Sequence, residues 1–211
     1  MAESQPPERP QRGRKPADFD AIYTGTPPWD VGHPQPAFLE LAEGGELRGR
    51  VLDAGCGTGE HALMAAALGL PTIGVDTAVL AIESARRKAR ERSLPVRFLV
   101  WNALQLAALG EQFDTVLDSG LFHVLDDNDR RAYVENLTAV TAPGGRYFML
   151  CFSDRQPGAG DWGPRRIREA EIRASFSKGW RVDVIERVMI EATVVPEGIF
   201  AWRARITRTD V

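Results

Sequence analysis

Arg50-Val51-Leu52-Asp53-Ala54-Gly55-Cys56-Gly57-Thr58-Gly59-Glu60-His61 decides how the rest of this chain is read. A short apolar run ends in an acid, three glycines alternate with other residues, and Ala62-Leu63-Met64-Ala65-Ala66-Ala67-Leu68 begins a helix. Strand, tight glycine turn, helix is the order in which an α/β protein lets a ligand touch backbone. Glycine tolerates positive φ and carries no Cβ, so the chain turns sharply while a ligand packs against it. A dinucleotide fingerprint, Gly-x-Gly-x-x-Gly, would need its third glycine at position 60, where this chain has Glu60. The pattern here is Gly-x-Gly-x-Gly behind an acid, which disfavours a nicotinamide oxidoreductase.

Outward from that turn, strands and helices alternate. Pro71 to Asp76 reads as a second strand, and Thr77 as the N-cap of a helix from Ala78 to about Arg92 with Ala78, Ile82, Ala85 and Ala89 on one face. Val96 to Trp101 is a third strand, Leu104 to Leu109 a short helical turn, and Phe113 to Asp118 a fourth strand. Asp126 or Asp127 caps a helix carrying Tyr133, Leu137 and Val140, stopped by Pro143-Gly144-Gly145. Arg146 to Phe152 is a fifth strand; a Gly/Pro-rich loop from Ser153 to Pro164 then leads to a helix over Glu169 to Phe176. Arg181 to Val188 and Ile199 to Ile206 are the last strands, meeting across a turn that contains Pro196-Glu197-Gly198. The expected fold is one α/β domain: a Rossmann-like, doubly wound, mostly parallel seven-stranded sheet with an antiparallel C-terminal strand.

A chain of 211 residues, 44% hydrophobic and 26% charged, can bury a single core without staples. Its net charge of -3 supplies no field to attract nucleic acid or an anionic membrane, so neither is expected as a partner. No apolar run approaches the roughly 20 residues that span a bilayer. Cys56 and Cys151 lie far apart without zinc spacing and read as small buried residues, so no metal and a reduced, cytoplasmic setting are expected. Residues 1–17 are rich in Pro, Gln, Arg and Glu and read as a disordered tail, with Arg9, Arg12, Arg14 and Lys15 as its basic cluster. Residues 18–45, with Thr26-Pro27-Pro28-Trp29-Asp30-Val31-Gly32-His33-Pro34-Gln35-Pro36 and a helix over Ala37 to Glu43, read as a cover over a ligand site. Residues 46–211 are the main domain.

Ligands in an open parallel sheet bind beyond the C-terminal strand ends, where strand order reverses. Those ends are Asp53, Asp76, Asn102, Asp118 and Ser153, all polar after apolar runs. Asp76 follows Ile73-Gly74-Val75 about twenty residues past the glycine turn, where an acid accepts from ribose hydroxyls. The lesser alternative is a cap for the next helix.

The acid, the glycine spacing and the apolar lead-in together closely resemble motif I of the class I S-adenosylmethionine (SAM) dependent methyltransferases, and the resemblance spans about Phe19 to Ile206. It implies that SAM is bound, and S-adenosylhomocysteine released, by Trp29, Asp53, Gly55, Gly57, Gly59, Asp76, Thr77, Asn102, Ala103 and Asp118. The family usually has Asp after strand three to recognise the adenine amino group; Asn102 can still accept through its carbonyl oxygen. Asp118-Ser119-Gly120-Leu121-Phe122-His123-Val124 resembles motif IV and lacks the Asn/Asp-Pro-Pro-aromatic signature of amino-group methyltransferases acting on DNA or protein. Pro27-Pro28-Trp29-Asp30-x-Gly resembles the N-terminal cover of thiopurine and thiol methyltransferases. Pro28 to Pro36, Asp118 to Val124 and Cys151-Phe152-Ser153-Asp154-Arg155 together look closer still to the mycobacterial heterocyclic toxin and benzoquinone methyltransferases. That group implies methylation of an oxygen or nitrogen on a small hydrophobic aromatic heterocycle, quinol or phenol, serving detoxification; a thiol acceptor is the alternative, and a non-catalytic SAM-binding module a further one.

The substrate-facing candidates are Phe19, Tyr23, His33, Phe122, His123 and Trp162, an aromatic set drawn from several loops at the strand ends. His123, just past strand four, is either a general base or a wall residue bonded to backbone. Monomer and dimer are both compatible with the sequence.

Overall fold

The computed structural model describes residues 20–158 and 163–209. The reading of residues 1–17 as a tail, and the candidates Phe19 and Trp162, lie outside the described residues.

Helix α1 (Pro36–Glu43) precedes β1 (Val51–Ala54), α2 (Glu60–Ala67), β2 (Thr72–Asp76), α3 (Val79–Glu91) and β3 (Val96–Val100). A 3-10 helix (Ala103–Leu109) then leads to β4 (Phe113–Ser119), α4 (Asp127–Val140), β5 (Thr141–Phe152), α5 (Glu169–Ser175), β6 (Trp180–Ala192) and β7 (Val195–Arg208). One seven-stranded sheet results, in the order β3-β2-β1-β4-β5-β7-β6. The first five strands pair in parallel, and β7 runs antiparallel between β5 and β6. Strand order reverses at β1, which lies between β2 and β4, so the crevice above its C-terminal end is where a ligand is received.

Each central strand is buried on both faces and therefore reads as a continuous apolar run. Leu52, Val116, Tyr147 and Met149 pack on one side with Tyr133 and Leu137 of α4 and Ile172 of α5. Val51, Leu117, Phe148 and Leu150 pack on the other with Phe38 and Leu41 of α1. Trp180 and Trp202 are buried in the first of these layers.

Three local expectations are corrected. Thr77 is not the cap of α3: Ala78 occupies that position, and its N–H is received by Asp76 Oδ1 at 2.9 Å. Helix α4 ends at Val140 rather than at Pro143, because β5 already pairs Thr141 with Phe113; the Pro143-Gly144-Gly145 segment then forms an irregularity within that strand. The final hairpin turns at Thr193-Val194, not at Pro196-Glu197-Gly198. Those three residues face only Glu191, between the pairs Ile190–Ile199 and Ala192–Val195. Pairing with β5 begins only at Ala201, so the missing N–H of Pro196 breaks no bond on that side.

Candidate active site

Gly55, Gly57 and Gly59 all have positive φ, at 71°, 51° and 89°, which side-chain-bearing residues rarely adopt. A Cβ on Gly59 would stand 2.7 Å from Phe98 Cζ, and one on Gly57 2.8 Å from the Tyr23 hydroxyl. The turn is fastened from behind. Gly57 N–H donates to Asp76 Oδ2 at 2.9 Å, so one carboxylate ties the turn to the start of α3, and burial raises its pKa against those backbone donors.

Asp53 receives the Ala62 N–H at 3.0 Å on one oxygen, while its other oxygen is buried and has no partner. Burial pushes this carboxyl up to about 8. Glu60, standing where a dinucleotide fold would have glycine, is buried and held by Lys88 at 2.8 Å and by two bonds from Arg92. Lys88 also donates to Thr58 Oγ1, which donates to Asp30 of the N-terminal segment at 2.9 Å.

Above the turn opens a cavity of about 410 Å³, within the range of small-molecule sites. The glycine turn, Asp76, Thr77, Asn102 and Ala103 form its floor, and Ser119 at the end of β4, with Gly120, Leu121 and residues 123–125 beyond it, one side. Tyr23, Pro28, Trp29, Asp30, Val31, His33 and Gln35 form another side. Ile190, Ala192, Val194 and Ile199, at the tip of the last hairpin, close it. Sequence reasoning missed this last wall, because the turn was read at Pro196-Glu197-Gly198 and not at Thr193-Val194.

The cavity thus brings together Trp29, Gly55, Gly57, Gly59, Asp76, Thr77, Asn102, Ala103, Tyr23, His33 and His123. Asp53, Asp118 and Phe122 stand behind its wall. Asp118 is fully buried and receives the hydroxyls of Tyr147 at 2.7 Å and Tyr133 at 3.0 Å, with the N–H groups of Leu121 and Phe122. It therefore shapes the turn that carries His123 rather than facing a ligand. Phe122 stacks on Phe176 beneath the Arg130 guanidinium. The Asn102 carbonyl oxygen already accepts from Leu104 N–H at 2.9 Å, so an adenine amino group would have to share it. Tyr23 accepts from Trp29 Nε1 at 3.1 Å and sits over Gly57, on the turn side of the cavity rather than among the apolar walls.

His123 is buried in the site, and His61 is half-buried beside it. The Phe152 N–H donates to His123 Nδ1 at 2.9 Å, and burial, then the Arg130 charge, lowers this imidazole to about 3. His61 Nε2 receives Gln35 N–H at 3.1 Å, and burial lowers it to about 4. His33 is exposed at the mouth, 3.4 Å from Glu191.

Gln35 also bonds both backbone groups of Glu191, at 3.0 and 2.8 Å, and Thr193 N–H donates to Pro28 O at 2.8 Å. The N-terminal segment and the hairpin tip are thereby clasped across the cavity. Gln35→Ala leaves those two half-buried backbone groups without their partner and is expected to cost about 1–2 kcal/mol in urea unfolding. Acceptor KM should rise with kcat little changed, since uniform binding is what is lost.

A family model described as "Methyltransferase domain" matches residues 51–145. The 2-heptyl-1-hydroxyquinolin-4(1H)-one methyltransferase of Mycobacteroides abscessus is 37% identical over 183 residues, covering 82% of this chain and 81% of the relative. This chain belongs to the SAM-dependent methyltransferases. A probable thiol methyltransferase of Arabidopsis thaliana is 30% identical, over 61% of the present enzyme and 58% of the plant protein. A chain solved in work on the conversion of a disulfide bond into a thioacetal group during echinomycin biosynthesis superimposes with a TM-score of 0.83. It is 35% identical, and the alignment covers 92% of the methyltransferase and 93% of that chain.

The residues fit SAM on two observations: a cradle that any Cβ would fill, and an orphaned buried carboxylate oxygen on Asp53 behind it. SAM supplies an electrophilic methyl group on a sulfonium. Among the described residues no cluster of His, Cys, Asp or Glu could hold a metal ion, and no helix is long and apolar enough to cross a membrane.

Proposed function

We propose that this methyltransferase transfers the methyl group of SAM to an oxygen or nitrogen of a small, hydrophobic, aromatic heterocycle of quinolone, quinol or phenol type. We read the role as detoxification in the cytoplasm. The observation that carries the acceptor class is the character of the walls away from the glycine turn: Leu121, Val124, Phe152, Ile190, Val194 and Ile199 are apolar, with Ser119, His123 and Asp129 as polar groups beside them. A flat apolar molecule is held there by burial, while a few polar groups orient its reacting atom. The quinolone named for the mycobacterial relative has that character.

On this reading the floor residues, from Gly55 to Ala103, hold the cofactor, and residues 18–45 are a cover that excludes water and positions the acceptor for in-line attack. A thiol acceptor is the second reading, favoured by the plant thiol methyltransferase. A panel of hydroxyquinolones, quinols, phenols and thiols incubated with methyl-labelled SAM separates them. Label on a ring-attached oxygen or nitrogen supports the first reading; label on sulfur alone replaces it with the second.

A further inference from the structure

His123 is held in one protonation state by a backbone contact. Its Nδ1 receives the N–H of Phe152 at 2.9 Å, and a ring nitrogen that accepts carries a lone pair, so in the neutral ring the proton sits on Nε2. Moving that proton to Nδ1, or adding a second one, would set two N–H groups head to head and leave the Phe152 donor unanswered. The ring also stands against Phe152 at 4.6 Å, edge-on. Nε2 lies on the Gly120 side, where a Cβ would approach it to 3.3 Å, so glycine keeps that nitrogen clear. Both residues line the cavity.

The surrounding charges agree. Arg130 of α4, whose guanidinium lies over Phe122 next to His123, opposes a second cation. Asp127 and Glu171 pair with Arg130, Asp118 is saturated by its own donors, and Asp129 stands on the cavity wall.

We propose that His123 is a fixed hydrogen-bond donor through Nε2–H, not a proton acceptor, and that the site selects acceptors whose reacting atom arrives as an anion or with an open lone pair. This rests on the methyl-transfer reading of the same cavity. The chemical class is an acidic hydroxyl on a heteroaromatic ring, ionised near neutral pH through conjugation with a ring carbonyl. The acceptor's electron pair forms the new bond to the methyl carbon while sulfur keeps the pair of the bond that breaks. Anion and sulfonium charges cancel, and no proton passes to the protein.

Two measurements test it. Nitrogen-15 NMR of the full chain with S-adenosylhomocysteine reads the tautomer directly; with three histidines, the His123 signals are assigned by their loss in His123→Gln. An Nε2–H ring that does not titrate from about pH 5 to 9 is expected; an Nδ1–H ring, or a midpoint inside that window, overturns the proposal.

The second is kcat/KM against pH for hydroxyarenes of graded acidity. The break in each profile should follow the acceptor's own pKa. His123→Ala should lose about 10- to 100-fold on the ionised acceptors, and His123→Gln, which keeps a donor and lacks a base, should recover most of it. A break fixed at one pH across the series, or His123→Gln as impaired as His123→Ala, overturns the donor role. If the wild type methylates nothing in the series, the acceptor reading fails, and the NMR result still decides the histidine.

Discussion

Asp118→Ala is expected to be among the most destabilising single substitutions in this protein, at about 4–5 kcal/mol, a large share of the roughly 5–15 kcal/mol that holds a domain folded. Four donors converge on that carboxylate: the Tyr147 and Tyr133 hydroxyls and the Leu121 and Phe122 N–H groups. All four residues are buried or nearly so, and alanine offers none of them an acceptor. Tyr133→Phe and Tyr147→Phe each remove one bond and should cost about 1–1.5 kcal/mol. Urea midpoints with unchanged slopes would check the series. The carboxyl also has a pH signature. Burial raises it to about 6, against bonds from Tyr147, Leu121 and Tyr133 that lower it. The native state therefore keeps this proton longer than the unfolded chain, whose carboxyl titrates near 3.9, so this group's contribution to stability declines as pH rises from about 4 to about 6 and is level beyond. Asp118→Asn should flatten that window. A wild-type contribution that rises across it would contradict the assignment.

Asp118 also shows where sequence alone stops. Its place at the end of a strand was legible, because an apolar run ending in an acid is a one-dimensional pattern. Its partners were not: Tyr133 and Tyr147 come from α4 and β5, and only the packing of helix on sheet turns both hydroxyls to one carboxylate. The same limit explains Phe122, which reads as a mouth residue by position yet packs on Phe176 from a different helix turn of the chain. The glycine turn and Asp76 were legible because they act through nearest neighbours and backbone. Glu60 could be read only as a missing glycine, since Lys88 and Arg92 lie a helix away. The hairpin-tip wall was hidden by turn chemistry. Pro196-Glu197-Gly198 carries the strongest local turn signal, but register with Glu191 makes it an irregularity and moves the turn to Thr193-Val194.

Asp53→Asn should move stability and binding in opposite directions. Without ligand, Asp53 carries a buried oxygen with no partner, and burial raises its carboxyl to about 8, with the Asp118 and Asp76 charges adding to the rise. An acid whose folded pKa exceeds its unfolded value weakens the fold as pH rises, here across about pH 4 to 8. Asparagine keeps an acceptor for the Ala62 N–H and removes the charge, so the ligand-free variant should melt roughly 2–8 °C higher at pH 8, the shift that about 1–2 kcal/mol produces in a chain of this size. The cofactor side runs the other way. A glycine turn backed by an unanswered carboxylate suits the ammonium end of SAM, reached through a bridging water, and a charge-assisted bond of about 1.5–3 kcal/mol corresponds to roughly 10- to 150-fold in Kd. Titration calorimetry at pH 8 would give both the affinity and, across buffers of different ionisation enthalpy, the protons exchanged. The wild type should release protons on binding SAM below about pH 8, because the ammonium draws the carboxyl into its charged form; Asp53→Asn should not. Equal affinity and equal proton release in the two proteins would separate Asp53 from the cofactor and leave the glycine turn as the binding element without it.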